Sequence, residues 1–308
     1  MTDSMERKLE AIAAAMPGWS VDGLKTRPLV GGLMNSNWLI NHGGQDYFMK
    51  LFGAGSDDFV NRRLSHEAAL KAHELGISPA TVLFDPGIGV EIAEFLQGYR
   101  ASTNADFSRR DFLDGVIGLY RTFNSGEKLS ATKDVFAMTD EHIEQGRALG
   151  ALVPADFDWL LIQYERAKAA FMASGLDLAP CHNDPMPGNF LVDMSADDRI
   201  RDMKMVDFEF ASNNERAYEI GVFLGEVFVD EATSNELIEQ YYGTARRDLV
   251  ARVWVARAVA DMKWGAWAVQ QRQRSSWDFD FQKYGIWKYA RARRLFDDPR
   301  WNDWLAAI

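Results

Sequence analysis

The segment 180–226 places polar side chains at the end of one short hairpin. Two apolar runs, 190–192 and 203–206, are separated by a polar stretch and therefore predict two antiparallel strands. Asn189 directly precedes the first strand and Asp207 directly follows the second, so the hairpin brings both to its open end. Their oxygens suit Mg²⁺, which takes few protein ligands and keeps its other positions for water and phosphate. The hairpin therefore predicts a site for the metal of a nucleotide.

A second acidic residue completes this arrangement. Asp184 lies five positions before Asn189, in a loop that contains two prolines and a glycine. An aspartate in such a loop can orient an attacking hydroxyl group and accept its proton, while Asp207 and Asn189 hold the metal. Glu209 follows two residues after Asp207 and is expected to assist with the metal. His182 is expected to brace the loop, because phosphoryl transfer depends more on positioning and charge than on a histidine base.

Composition limits the alternatives. The chain has 308 residues and is 47% hydrophobic, which is enough for one large domain or two ordinary ones. A net charge of −11 argues against a general nucleic-acid binder. The single cysteine, Cys181, excludes an intrachain disulfide and a cysteine-cluster metal site. The N-terminus lacks a signal-peptide core and no apolar run reaches the ~18–20 residues of a membrane span, so a cytoplasmic location is expected.

The N-terminal part of the sequence predicts strands around a possible phosphate loop. The stretch 29–40 is typical of a hairpin whose turn contains Gly31 and Gly32. The polar residues that follow, Asn35, Ser36 and Asn37, leave backbone N–H groups that can meet a phosphate. An ordinary hairpin is the alternative, because the pattern is neither GxGxxG nor a Walker A motif.

One lysine in this region has an unusual setting. Lys50 lies on the same strand face as Phe48 and Phe52, which predicts a role for its amine beside nucleotide phosphates. The alternative is a lysine of an edge strand that extends to water. Glu67, on the border of the apolar stripe of a predicted helix over 62–75, is expected to hold Lys50 in place, as a helix glutamate does in kinases.

The chain changes character near residue 97. Hairpin strands are predicted over 81–84 and 89–93, whereas helical patterns prevail from residue 108 onward. We therefore predict an N-terminal nucleotide-binding lobe over 1–97 and a C-terminal catalytic and substrate-binding lobe over 98–308. The expected fold class is α+β, with a small antiparallel sheet followed by a larger, mainly helical part.

These residues together resemble a known family. His182-Asn183-Asp184-x4-Asn189 followed by Val206-Asp207-Phe208-Glu209-Phe210 is similar to the choline/ethanolamine kinases, within the aminoglycoside-phosphotransferase-like group of protein-kinase-like folds. The resemblance continues through residues 214–226, 264–270 and 289–293. It implies a two-lobed protein-kinase-like fold, ATP and Mg²⁺ as cofactors, and a small amino alcohol as acceptor. The positions it implies for nucleotide contact are Asn35, Ser36, Asn37, Lys50, Glu67, Glu94 and Leu96.

The resemblance also implies an amine pocket built from aromatic rings. The residues concerned are Trp264, Trp267, Phe279, Phe281 and Tyr284, with the acidic Glu226 beside them. Aromatic faces attract a quaternary ammonium by ~0.5–2 kcal/mol each. Core packing is the alternative for two tryptophans at helical spacing. Glu231 stands where eukaryotic members of the family carry an aromatic residue, which favours a smaller amine such as ethanolamine.

The sequence thus predicts an ATP-dependent kinase for an amino alcohol, with choline as the first choice. Ethanolamine, thiamine or an aminoglycoside are alternative acceptors. A binding protein for nucleotide or amine without catalysis is a second hypothesis, which the presence of Asp184, Asn189, Asp207 and Lys50 disfavours. A protein kinase is disfavoured by the lack of GxGxxG and by Asp-Phe-Glu in place of Asp-Phe-Gly.

Overall fold

The computed structural model describes residues 2–29, 35–53, 60–275 and 278–308. The chain divides into two compact units. The N-terminal unit comprises Met1–Ser102 and Gly188–Phe210, and the C-terminal unit comprises Thr103–Pro187 and Ala211–Ile308. The chain first passes from the N-terminal to the C-terminal unit after Ser102, five residues beyond the boundary expected at residue 97. The hairpin over 190–205 was expected in the second lobe, whereas the structure places it in the N-terminal unit.

The N-terminal unit is built around an antiparallel sheet with strand order β1-β2-β3-β5-β4. Its elements are α1 (Thr2–Ala15), β1 (Leu24–Pro28), β2 (Ser36–His42), β3 (Gln45–Leu51), α2 (Arg62–Glu74), β4 (Thr81–Asp85) and β5 (Val90–Glu94). The predicted hairpins are therefore confirmed in their pairing. The first begins five residues earlier than expected, and its predicted glycine turn, with Gly31 and Gly32, lies outside the described residues.

The alternation of β3 explains how this sheet forms its core. Met49 and Leu51 are buried on one face together with Ile40 of β2 and Ile92 of β5, and Ile12 of α1 covers them. Burial of such side chains stabilises the fold by about 1.5–3 kcal/mol each. The opposite face of β3 is thereby left for Lys50, as the sequence pattern predicts.

A second, three-stranded sheet belongs to the same unit. It consists of β6 (Tyr99–Ala101), β8 (Phe190–Met194) and β9 (Ile200–Met205) in the order β6-β8-β9, all antiparallel. The backbone N–H of Met205 donates to the carbonyl of Ile77 at 2.7 Å, and the Lys204 amine donates to the carbonyl of Gly76. These bonds attach the hairpin to the segment that follows α2, which explains why it belongs to the N-terminal unit.

The described part of the C-terminal unit is mainly helical. Its elements are α3 (Arg110–Asn124), α4 (Val135–Ala148), α5 (Phe157–Ser174), β7 (Leu178–Cys181), β10 (Ser212–Glu215), α6 (Arg216–Val227), α7 (Glu231–Tyr242), α8 (Arg247–Arg274), α9 (Phe281–Phe296) and α10 (Trp301–Ala307). β7 and β10 pair as an antiparallel ribbon. The predicted α+β class, with strands first and helices after, is confirmed.

Helix α8 is the centre of this unit. It has 28 residues, and α4, α6 and α9 pack against it. Because it is surrounded, its buried side chains lie on every side rather than along one stripe. No helix in the described ranges combines the length and the apolar character needed to cross a lipid bilayer.

Candidate active site

Lys50 and Asp207 form an ion pair within the N-terminal unit. The Lys50 Nζ lies 2.5 Å from Oδ1 of Asp207, and Lys50 is only 7% exposed. Burial alone lowers the pKa of Lys50, but the carboxylates of Asp207, Glu209 and Glu91 outweigh it and raise that pKa above its ordinary value. Lys50 therefore carries a positive charge throughout the physiological pH range.

The sheet itself supplies the surroundings of Lys50. In the strand register Lys50 lies between Asn37 of β2 and Glu91 of β5, so all three side chains share one face. Glu91 also approaches His66 of α2, at 4.0 Å, and burial lowers the pKa of that histidine. Glu91 was not among the site residues predicted from the sequence. Its strand register with Lys50 could have revealed it, since cross-strand neighbours follow from the hairpin pairing.

The hairpin holds Asn189 and Asp207 at the same end, as predicted. Phe190 pairs with Met205, and the N–H of Val206 donates to the carbonyl of Asn189 at 2.9 Å. Asp207 adopts a left-handed backbone with φ of 67°. Aspartate is one of the few residues that tolerate this conformation, and such positions recur where a fold aims a side chain at a site.

Glu209 lies beside the pair with partners of its own. The Asn35 side chain donates to Oε2 of Glu209 at 2.9 Å, and the Arg62 guanidinium lies 3.7 Å from the same oxygen. Arg62 begins α2 and also lies over the ring of Phe52. These contacts join the start of β2, the start of α2 and the segment after β9.

The oxygen donors at the end of the hairpin are of the type that binds Mg²⁺. Asp207, Asn189 and Glu209 offer carboxylate and amide oxygens, the ligand type that Mg²⁺ requires. In the described ranges no group of three or more His, Cys, Asp and Glu side chains forms a closed metal cage. Mg²⁺ bound with a nucleotide takes only one or two carboxylates and fills its remaining positions with water and phosphate, so the set fits an open site.

The expected ion pair between Lys50 and Glu67 is replaced by other contacts. The Glu67 carboxylate lies 3.0 Å from the Lys71 amine one helical turn later, whereas Lys50 pairs with Asp207. The physical reason lies in α2, whose buried face presents Arg62, Leu64 and Ala68. Glu67 lies on the border of that face, within reach of its i+4 neighbour.

The other residues expected to contact the nucleotide occupy two places in the N-terminal unit. Ser36 and Asn37 begin β2, directly after Asn35. Glu94 ends β5, where its carboxylate accepts from the N–H of Ala80 at 3.3 Å, and Leu96 follows in the connection to β6. Both places lie at or directly after strand ends. Their role remains a prediction.

In the C-terminal unit, Asp184 lies in the loop after β7, and hydrogen bonds to the loop backbone hold it in place. The N–H groups of His182 and Asn183 donate to the two carboxylate oxygens of Glu219, at 2.6 and 2.9 Å. The N–H of Asp184 donates to Nδ1 of His182. His182 is fully buried, so it braces the loop as the sequence analysis expected. Asn183 has a φ of 68°, a second left-handed residue next to a predicted catalytic one.

Glu219 is a residue that the sequence analysis missed. It lies in α6, is fully buried, and also receives a bond from the Asn124 amide at 3.3 Å. Burial raises the pKa of Glu219, while His182 and the two loop N–H groups oppose that rise. A glutamate on the apolar face of a helix, next to Ile220 and Gly221, was the available signal.

The predicted amine pocket is a continuous aromatic cluster in the C-terminal unit. The Trp264 and Trp267 rings meet edge to face with centroids 5.3 Å apart. Trp267 also contacts Phe281 and Tyr284, and Phe279 contacts both of these. All five predicted rings are thus brought together by α8, α9 and the segment before α9.

Glu226 lies beside this cluster, but it has two cationic partners in the protein. Its carboxylate is paired with the Lys288 amine and with the Arg291 guanidinium, the latter at 3.1 Å. Although burial raises the pKa of Glu226, these two cations lower it below its ordinary value. Arg291 also pairs with Asp261 of α8 at 2.8 Å. Glu226 was expected to face the amine of the acceptor, and its charge is instead balanced within the protein.

Comparison with known proteins decides the family. Residues 25–256 match the model of the phosphotransferase enzyme family. The chain belongs to this phosphotransferase family. It is 22% identical to protein LicA of Haemophilus influenzae, over 87% of this chain and 79% of LicA.

Solved structures of similar fold agree with this family. A choline/ethanolamine kinase family protein from Mesorhizobium loti has a TM-score of 0.81 and 26% identity, covering 99% of this chain and 98% of its own. Choline kinase LicA from Streptococcus pneumoniae has a TM-score of 0.74 and 20% identity, over 95% and 98%. A further LicA structure, in complex with AMP, has a TM-score of 0.71 at 19% identity, over 93% and 96%.

The protein is therefore a phosphotransferase of the choline/ethanolamine kinase type that acts on an alcohol group, as the sequence predicted. The departure at Glu231 has a structural explanation in this phosphotransferase. Glu231 begins α7 and pairs with Arg300 at 2.5 Å, and both side chains are about half exposed. Glu231 therefore forms an exposed ion pair with Arg300, which connects α7 to the start of α10.

Proposed function

We propose that this phosphotransferase transfers the terminal phosphoryl group of ATP to the hydroxyl group of a small amino alcohol, with choline as the first acceptor. One observation carries the proposal, namely the ion pair between the buried Lys50 and Asp207 at the end of the hairpin that also presents Asn189. A buried, charged lysine beside an oxygen-donor set is what binding of a metal–nucleotide phosphate requires. The AMP bound in the LicA structure supports a nucleotide as donor.

The residues divide the chemistry among themselves. Asp207 and Asn189 would hold Mg²⁺, with Glu209 beside them, and the chemistry that Mg²⁺ supplies when bound is neutralisation of phosphate charge. Lys50 contributes a further positive charge toward the phosphates. Asp184, held by the loop that Glu219 fixes, orients the acceptor hydroxyl and takes its proton as the new O–P bond forms. The bond from the terminal phosphorus to its bridging oxygen breaks in the same transfer, and ADP is the leaving group.

The aromatic cluster supports an amine-bearing acceptor. Its rings offer faces that attract an ammonium group, and the names of the Streptococcus pneumoniae and Mesorhizobium loti proteins point to choline and ethanolamine. Glu226 adds less than expected, because Lys288 and Arg291 already neutralise it.

A phosphorylation panel tests this function. Purified protein is incubated with ATP and choline, ethanolamine, thiamine or an aminoglycoside, with and without MgCl₂, and the products are identified by mass spectrometry. We expect a metal-dependent phosphate ester of an amino alcohol. If another alcohol were the best acceptor by a wide margin, the choline assignment would be lost. Nucleotide binding without transfer to any alcohol would favour the alternative of a binding protein without catalysis.

The predicted cytoplasmic location is part of the same proposal. A kinase of this type draws on cytoplasmic ATP and Mg²⁺, and the acidic composition suits a soluble protein. Fractionation of cells that produce the tagged protein would test the location, and recovery in the membrane or periplasmic fraction would contradict it.

A further inference from the structure

The Lys263 amine lies over one of the rings of the aromatic cluster. Lys263 is in the middle of α8, is only 1% exposed, and its Nζ lies 3.1 Å from the centroid of the Trp264 ring. The face of an indole ring is the preferred position for a cation. An amine of the protein itself therefore occupies one face of the Trp264 ring.

A second lysine repeats this arrangement across the cluster. The Lys288 Nζ lies 4.9 Å from the centroid of the Tyr284 ring and also pairs with Glu226. Lys288 differs from Lys263 in its electrostatic setting, because Glu226 supplies a carboxylate at hydrogen-bonding distance. Each of the two lysines thus lies over a ring of the cluster, and Lys288 also has Glu226 as an ion-pair partner.

The groups around Lys263 set its charge. Asp184, on the loop after β7, favours the ammonium form, whereas Lys133 before α4 and Lys288 on α9 oppose it. His142 of α4 also interacts with Lys263 electrostatically, and burial lowers the pKa of that histidine to about 3, so it stays neutral. Burial lowers the pKa of Lys263 to about 7. Lys263 can therefore gain or lose its proton near neutral pH.

Resting on the proposed function, we propose that Lys263 is a specificity-determining residue whose ammonium group competes with that of the acceptor for the face of Trp264. Two positive charges at one ring face repel each other in a site with little water. A cationic alcohol then binds well only when Lys263 is neutral. An alcohol of the same shape without charge does not meet this competition.

The proposal predicts opposite behaviour for two acceptors of equal shape. Choline and 3,3-dimethylbutan-1-ol differ in one atom, nitrogen against carbon, and therefore in one charge. As pH rises through about 7, the Lys263 proton is lost, and the KM for choline is expected to fall by up to about tenfold per pH unit below that pKa. The KM for the neutral alcohol is expected to stay within about twofold from pH 6 to pH 8.5.

Variants at Lys263 separate charge from packing. Lys263→Met keeps the length of the side chain and removes its charge, whereas Lys263→Arg keeps a permanent charge. In Lys263→Met the ratio of kcat/KM for choline to that for the neutral alcohol at pH 6 is expected to rise about tenfold or more, since the competing charge is gone. In Lys263→Arg the ratio stays low and loses its dependence on pH. Lys168→Met, which removes a partly exposed lysine of α5, is the matched control and should leave the ratio unchanged.

Choline binding provides a readout that does not need turnover. Titration of tryptophan fluorescence with choline at pH 6 and pH 8.5 reports affinity in wild type and variants, and thermal melts confirm folding. A choline affinity that is the same at both pH values in the wild type overturns the proposal, even if Lys263→Met fails to fold. An unchanged acceptor ratio in a folded Lys263→Met variant also overturns it. Absence of transfer to any alcohol contradicts the proposed function instead, and the choline titration still decides the role of Lys263.

Discussion

At the scale of single residues, the candidate site depends on which charges are balanced inside the protein. Lys50 and Asp207 neutralise each other, Glu226 is neutralised by two cations, and Lys263 lies over an indole ring. Sequence patterns singled out Lys50 through its two phenylalanine neighbours on one strand face, but they predicted Glu67 as its partner, whereas Lys50 pairs with Asp207. The partners of Glu226 lie 62 and 65 residues later in the chain, at a distance where periodicity carries no information.

Replacing Lys50 tests the charge beside the metal set. Lys50→Met removes the ammonium group and is expected to lower kcat by roughly 10²–10³, the usual cost of losing one preorganised group at a developing charge. The pKa of Lys50 is raised above its ordinary value of 10.5, so the amine is protonated at both pH 6 and pH 9. The loss of kcat should therefore be equal at the two pH values. Steady-state kinetics with ATP at both pH values provide the measurement.

Lys25→Met is the matched control for this change. Lys25 is an exposed residue of β1 in the same unit, and its removal should leave kcat within about twofold, as for other surface substitutions. A Lys50→Met enzyme with near-normal kcat would remove Lys50 from the phosphate site.

At the scale of elements, α6 connects the catalytic loop to the core of the C-terminal unit. Its Glu219 accepts the two N–H groups of the loop, and its Gly221 allows close contact with α8. A Cβ at Gly221 would lie 2.7 Å from the backbone nitrogen of Arg257, closer than real contacts allow. The hairpin over 190–206 and the helical spacing of Trp264 and Trp267 in α8 were predictable, because each depends on neighbours in sequence. The faces of α2 and α6 that are buried could not be predicted, because they depend on contacts with other elements.

The contact at Gly221 predicts a loss of stability. Gly221→Ala is expected to lower the free energy of unfolding by about 1–3 kcal/mol, because backbone atoms cannot move aside as a flexible side chain would. Gly118→Ala in α3, where a Cβ meets no atom within 4 Å, should raise it by about 0.5–1 kcal/mol. Urea unfolding of both variants measures the difference, and equal effects would contradict the close approach of α6 and α8.

The carboxylate of Glu219 predicts a combined effect on stability and catalysis. Glu219→Gln keeps the shape but leaves one of the two loop N–H groups without an acceptor, which costs about 1–3 kcal/mol in a buried site. We expect a lower melting temperature and a reduced kcat, because Asp184 loses its fixed loop. Glu239→Gln on the exposed side of α7 is the control. A Glu219→Gln enzyme with the stability and kcat of the wild type would show that the clamp is dispensable.

At the scale of the whole molecule, the sequence predicted the α+β class and the change from strands to helices near residue 97. It assigned the hairpin over 190–205 to the helical part, whereas the structure groups Gly188–Phe210 with the N-terminal unit. The reason is a pair of hydrogen bonds to the carbonyls of residues 76 and 77, donated by the Lys204 amine and the N–H of Met205, which no local pattern encodes. Each unit carries its own part of the candidate chemistry, with Lys50, Asn189 and Asp207 in one and Asp184 in the other.

The role of Asp184 as the residue that receives the acceptor proton is the central claim. The most direct measurement compares kcat for the best acceptor and the Kd for ATP in wild type and in Asp184→Asn. We expect kcat to fall by roughly two orders of magnitude or more, with the Kd for ATP unchanged, because general-base help is typically worth ~10²–10⁴-fold. A kcat close to that of the wild type, or an equal loss of ATP affinity, would contradict the account.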